Sequence, residues 1–204
     1  MRKKIIVLTV LLFFLVFPGK ILHAQSTADP VGLDAWVLNF GIGAGNNYWG
    51  NGNGFGPGMK VAFEKGMWKV GPGVFTLGGE MGFSYFWHNW NYYHTGQDKN
   101  LDLNETWINV MVGARAAYHW GFDVKGLDVY GGIPLGIGFS LYNYSGWDDT
   151  GEWKEWGGYG HHPVFPYVGV FFGASYFFNE VIGLNAEVGY NATFGQIGLV
   201  FKLN

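Results

Sequence analysis

The 204 residues contain no cysteine. An exported protein of this size without disulfides must be held by a packed core or by a sheet closed on itself. The same absence excludes a lipid anchor attached through a cysteine. Charge is scarce too: Asp, Glu, Lys and Arg make up 13% of the chain, against roughly 25% in ordinary soluble domains. A water-facing surface so poor in charge is hard to keep in solution. Long apolar runs are also missing. The longest, Ile5 to Phe17, is 13 residues and is broken by Thr9, whereas a helix that spans a bilayer needs about 20.

That short run has another use. Arg2, Lys3 and Lys4 precede it, and Leu22-His23-Ala24 closes the segment that follows. A basic start, an apolar middle and a small-residue exit are the parts of a secretory signal peptide. The pattern predicts a signal at residues 1–24, cleaved after Ala24, and one domain from 25 to 204. The mature chain would hold eight basic and fifteen acidic residues, a balance of −7. Nucleic-acid binders present basic patches, so a nucleic-acid partner is not expected.

Aromatic residues and glycine are abundant: 20% of the chain is Phe, Trp or Tyr, and there are 35 glycines. The end of the chain shows how they are arranged. Ile182, Leu184, Ala186, Val188 and Tyr190 alternate with Gly183, Asn185, Glu187, Gly189 and Asn191. After a tight turn at Ala192–Gly195, Ile197, Leu199, Phe201 and Leu203 alternate with Gln196, Gly198, Val200 and Lys202. Period two is the signature of a β-strand with two unlike faces. Six further segments repeat it, near 35–45, 58–65, 74–88, 104–120, 127–143 and 164–177. The connections at 46–56, 89–103 and 144–162 are long, and those at 66–73, 121–126 and 178–181 are short. A polar lead-in at 25–33 precedes the first strand and is expected to be mobile. Eight strands with alternating long and short connections are predicted to form an all-β, antiparallel, up-and-down transmembrane barrel. Its short turns would lie in the periplasm and its long loops outside the cell.

The minor face of these strands collects Lys60, Glu64, Glu80, Arg115, Asp128, Glu187 and Lys202 among glycines and amides. On the water side of a soluble sheet so many glycines would weaken the strands without benefit. In a narrow barrel the same face fills a lumen. These seven residues are therefore expected to form a lumenal charge network, with Arg115 pairing with Glu80 or Glu187. The apolar face carries Trp36, Tyr118, Trp120 and Tyr176 near the short turns, and Tyr85, Trp87 and Tyr190 near the long loops. Two such groups flanking an aliphatic band predict aromatic girdles at the two membrane interfaces. The alternative is a lipocalin-like soluble barrel with its apolar face inward around a ligand.

On Gly113-Ala114-Arg115, Gly173-Ala174-Ser175-Tyr176-Phe177, the stretch from Gly183 to Tyr190 and the final Gly198-Leu199-Val200-Phe201-Lys202-Leu203, the chain resembles the small eight-stranded outer-membrane barrels of Gram-negative bacteria, of the OmpA and OmpX type within the broad porin class. The resemblance implies a monomer in contact with outer-membrane lipid and lipopolysaccharide. It also implies dependence on the barrel-assembly machinery during insertion. The partner of the external loops is left unidentified by it.

No cofactor, metal or catalytic motif stands out. His161 and His162 are adjacent, an arrangement that rarely ligates one ion, and no H-x-x-x-H or H-E-x-x-H occurs. His88 and His94 flank a loop with Asp98, where a solvated loop is expected and a weak metal site is the alternative, and His119 sits by a turn at the rim, where an interfacial polar contact is expected. Some small outer-membrane barrels act on lipid A, which needs a serine, a histidine and a carboxylate together. Ser84, Ser140 and Ser145 are the candidate serines, and Ser84 has His88 four residues on, about 13 Å along a strand. A non-enzymatic barrel is the expectation, with acyl transfer or deacylation on lipid A as the alternative. Trp147, Trp153 and Trp156 lie among Asp148, Asp149, Glu152 and Glu155; a loop that packs on itself and on lipopolysaccharide sugars is expected, with sugar stacking or calcium binding as the alternative.

Overall fold

The structure, a computed structural model, describes residues 31–45, 56–94, 99–122, 124–148, 153–154 and 164–203. The expected signal peptide, its cleavage point and the pair His161-His162 lie outside the described residues.

Ten strands make up the described chain: β1 (Trp36–Gly45), β2 (Gly56–Val70), β3 (Gly73–His94), β4 (Lys99–Gly121), β5 (Leu127–Asp148), β6 (Trp153–Lys154), β7 (Val164–Val168), β8 (Val170–Phe177), β9 (Ile182–Tyr190) and β10 (Thr193–Leu203). They pair in the order β4-β3-β2-β1-β10-β9-β8-β5, and β4 also pairs with β5, so the ring closes. Every pairing is antiparallel. β7 and β8 are one stave interrupted at Gly169, and β6 is a two-residue addition to the far end of β5. The wall is therefore a closed eight-stranded barrel, and the described residues contain no helix.

The register fixes the tilt. From Asp128 on β5 the rungs run to Ser175, Asn185, Gly198, Gly41, Lys60, Gly82 and Met111, and return to β5 at Gly138. One circuit climbs from 128 to 138, a shear of ten residues. For eight strands that shear tilts them by roughly 40° and leaves an interior just wide enough for side chains.

Alternation decides which way each side chain points. Phe40, Ile42, Met81, Val112, Leu135, Val188 and Ile197 are exposed on the outside, while Lys60, Glu64, Glu80, Arg115 and Glu187 between them are buried. A lipocalin-like arrangement requires the opposite. Glycine makes the filling possible. A Cβ on Gly41 would lie 2.6 Å from the Gln196 side chain, and one on Gly132 would lie 2.5 Å from the Phe171 ring. Two turns need glycine for its backbone: Gly71 has φ 57° and Gly126 has φ 83°, a region that side chains disfavour. The turn between β8 and β9 is set by Asn179, whose side-chain oxygen accepts from the N–H groups of Val181 (2.8 Å) and Ile182 (2.9 Å).

Several expected boundaries are corrected. β2 runs on to Val70, past a register shift between Gly66 and Trp68, so only Gly71 and Pro72 separate it from β3. Residues 89–103, expected as a loop, mostly belong to β3 and β4, which pair from Gly73↔Trp120 to His94↔Lys99. β5 likewise continues to Asp148. The lead-in is not loose at its end. Val31 is 1% exposed and packs with Val37, Phe177 and Val200 across the mouth of the barrel. It is held there by a bend at Asp34 (φ 62°) and by hydrogen bonds joining Asp34 and Ala35 to Gly66.

Candidate functional site

The described interior is built around Arg115 of β4. Its neighbours across the rungs are Gly78 of β3 and Pro134 of β5, which leave the guanidinium room to cross the lumen. Nε donates to Glu64 of β2 at 2.5 Å, Nη1 to Glu80 of β3 at 2.8 Å and Nη2 to Glu187 of β9 at 2.7 Å. All four side chains are at most 2% exposed. Lys60 of β2 donates to Glu187 and lies 3.9 Å from Glu80. Phe171 of β8 supports the cations with its ring face, 3.5 Å from the Arg115 guanidinium carbon and 5.6 Å from Lys60 Nζ.

Neutral donors satisfy further oxygens. Thr76 donates to Glu64 at 2.5 Å, Tyr130 to Glu187 at 3.1 Å, Asn191 to Glu187 at 2.9 Å, and Tyr167 to Glu80. At the end nearer the short turns, His119 sits between two carboxylates, with Nδ1 2.8 Å from Asp128 and Nε2 3.3 Å from Glu64. Asn185 joins Tyr130 (2.6 Å) to Ser175 (3.1 Å). Six of the seven charged residues singled out from the sequence thus occur in one connected cluster: Lys60, Glu64, Glu80, Arg115, Asp128 and Glu187.

The seventh, Lys202, is a correction. It is half-exposed, its Nζ lies 5.8 Å from the Phe177 ring centre, and it makes no ion pair among the described residues. The reason is its height in the barrel. Lys202 pairs with Val37 at the mouth, where the Val31–Val37–Phe177–Val200 plug separates it from the cluster. Conversely His119, expected to make a polar contact at the rim, is 2% exposed and makes its contacts within the cluster, to Asp128 and Glu64. Tyr130, Tyr167 and Phe171 were also not singled out. All four share the inward parity of their strands, which was the signal available.

The aromatic candidates all lie on the outer face. Near the short turns, Trp36 stacks on Phe63 at 4.6 Å, Tyr118 meets Trp120 edge-on at 4.6 Å and donates to the Val70 carbonyl at 2.5 Å, and Tyr176 meets Phe178 at 6.0 Å. At the other end Tyr85 and Trp87 lie 5.6 Å apart and Tyr190 is exposed. Trp68, also near the short turns, joins the first group through Phe75 at 5.8 Å.

Among the described residues the catalytic candidates do not come together in one accessible site. Ser84 and Ser140 are at most 1% exposed, whereas His88 is exposed at the rim. The side chain of Ser145 falls outside the described residues, as do those of His94, Asp98, Trp147, Asp148, Asp149, Glu152, Trp153, Glu155 and Trp156. Among the described residues no group of three His, Asp or Glu is placed to hold a metal ion.

No protein-family profile matches the chain, and no curated protein matches it in sequence. Among solved structures it is similar to OprG from Pseudomonas aeruginosa, with 12% identity, 85% of this chain and 98% of that one covered, and a TM-score of 0.48. It is also similar to Ail, the attachment invasion locus protein of Yersinia pestis, solved with the heparin analogue sucrose octasulfate. There the identity is 9%, the coverage 82% and 93%, and the TM-score 0.36. Likeness at that level says nothing about activity or partner. The barrel architecture rests on the closed strand pairing itself.

Proposed function

We propose that the protein is an integral outer-membrane barrel whose lumen is a structural plug and whose tall β3–β4–β5 wall carries a binding surface outside the cell. One observation carries the reading: the greasy faces of all eight staves point outward while the ionised side chains are sealed within. In water that arrangement would expose a continuous apolar belt. In hydrocarbon it is what backbone satisfaction and side-chain solvation require, because closure leaves no sheet edge unpaired. The exposed aromatics near both ends of the staves suit the two headgroup layers. The interior is filled by the Arg115 cluster, and a channel role does not fit an eight-stranded lumen of this width.

The external role follows from length and charge. Nine residues of β3 and nine of β4 lie beyond Tyr85 and Ile108, which is about 30 Å of strand on each side. The segments 86–107 and 142–163 hold seven acidic residues against Lys99 and Lys154. A neutral or cationic partner suits that surface; a polyanion such as the heparin analogue bound to Ail would be repelled. Washing cell membranes with alkaline carbonate tests the membrane reading. The protein is expected to stay in the membrane pellet and to band with the outer membrane on a density gradient. Release into the supernatant would refute it.

A further inference from the structure

The structure assigns residues 31–35 the part of a latch, a strap that settles over the junction of the first and last staves once the ring is complete and slows its reopening. The inference rests on the strand pairing and not on which solvent the outer wall meets.

β1 and β10 are the staves farthest apart in sequence, and their junction closes the ring. It is thinly made in its upper half. Of the five rungs above Phe40↔Leu199, only Ile42↔Ile197 lacks a glycine; Gly41 faces Gly198, and the register shifts between Ala44 and Gly45. Glycine in a strand interior offers no side chain to pack. The polar cluster does not reinforce the junction either. It ties β2, β3 and β4 to β9. Asn39, the inward polar side chain of β1, has no hydrogen-bond partner for its Oδ1, and Gln196 Oε1 accepts from Thr193 of its own stave. Cohesion of the seam therefore sits in its lower half, from Trp36↔Leu203 to Phe40↔Leu199.

The strap lands on that half. Val31, buried, packs in one cluster with Val37 of β1, Val200 of β10 and Phe177 of β8. Its other end is fixed to β2: the Asp34 N–H donates to the Gly66 carbonyl at 3.0 Å, and the Gly66 N–H donates to the Ala35 carbonyl at 2.9 Å. Asp34 also pairs with Lys65 at 3.0 Å, an exposed contact that adds little. The strap thus reaches from β2, across β1 and β10, to β8. Gly66 makes room for it, since a Cβ there would lie 2.2 Å from the Gly32 carbonyl oxygen. The order of events follows from where the partners come from. Val37 and Val200 belong to staves that meet only when the ring closes, so an open sheet has no notch for Val31. Contacts between segments so distant in sequence form late, because the entropy of closing the chain between them must be met first. The strap docks after that step, and its contacts are lost before the seam can part.

Unfolding and refolding kinetics of the protein in detergent micelles test this, with hydrogen exchange read stave by stave. Val31→Ser gives up the apolar contact and Gly66→Ala pushes the strap away. Each should speed unfolding about tenfold and leave refolding within about twofold of the intact protein, the pattern of an interaction made after the transition state. Exchange should rise in β1 and β10 while the amides of the β3–β4 pairing stay as protected as before. An ordinary core residue would raise exchange in all staves together. Refolding slowed as much as unfolding is hastened, exchange raised equally everywhere, no change in either variant, or failure of both variants to fold would overturn the latch. If one variant alone fails to fold, the other decides. The carbonate wash reads a different property, so a failed latch and a failed membrane assignment give different results.

Discussion

Arg115 spends its three nitrogens on three different carboxylates, from three different strands. Bringing those groups together out of water is costly, and the arrangement is stable only because each charge is met. Removing the cation strands Glu64, Glu80 and Glu187, with Lys60 as the basic side chain still beside Glu80 and Glu187. Arg115→Met is therefore expected to cost about 3–5 kcal/mol, the usual penalty for breaking a buried pair from one side. Urea unfolding of the protein in lipid vesicles measures it. Adding Glu64→Gln to Arg115→Met should recover part of the loss, because one of the abandoned charges is gone. A single-variant loss under about 1 kcal/mol would mean that the cluster tolerates an unpaired carboxylate, as only a hydrated lumen can.

At the scale of the strand, what matters is which solvent each face meets. Leu135 is 64% exposed on β5, midway between Leu127, the rung partner of Tyr176, and Leu141, the rung partner of Ile108. On a water-facing sheet Leu135→Arg would be harmless or would improve solubility. At a bilayer midplane it should cost about 2–4 kcal/mol, while the same change at Val124, exposed in the short turn that follows Trp120, should cost about 0–1. Unfolding in vesicles checks both, and equal costs at the two positions would contradict the membrane placement of the wall. The side of the wall taken by each strand residue was legible in the sequence, because period two admits only two answers. The partner was not. A shear of ten residues carries Glu187 from β9 and Glu64 from β2 to the same guanidinium, and nothing local in their segments encodes that meeting. The outer lengths of β3 and β4 were not legible either. Around Asn91, Asn100 and Asn104 the apolar alternation fades, and those strands persist there through their pairing with each other and with β5.

The molecule as a whole divides at the upper aromatic group. Below it, eight staves close a ring around a filled lumen; above it, β3, β4 and β5 continue as an open sheet. The ring should not need the sheet, since closure, the Arg115 cluster and the Val31 plug all lie below. Asn89 and Asn104 are rung partners, so residues 90–103 can be replaced by Asn-Gly, a two-residue turn that suits the twist of an antiparallel pair. The shortened chain is expected to insert and to unfold within about 1 kcal/mol of the intact protein, because a short hairpin in water contributes little by itself. The shorter connection even lowers the entropy of closing the loop, by roughly 0.6 kcal/mol for each halving. Binding at the cell surface should fall while insertion is kept. A truncated chain that no longer inserts would mean that the tall wall helps the barrel close, and the division between a structural ring and a recognition sheet would have to be abandoned.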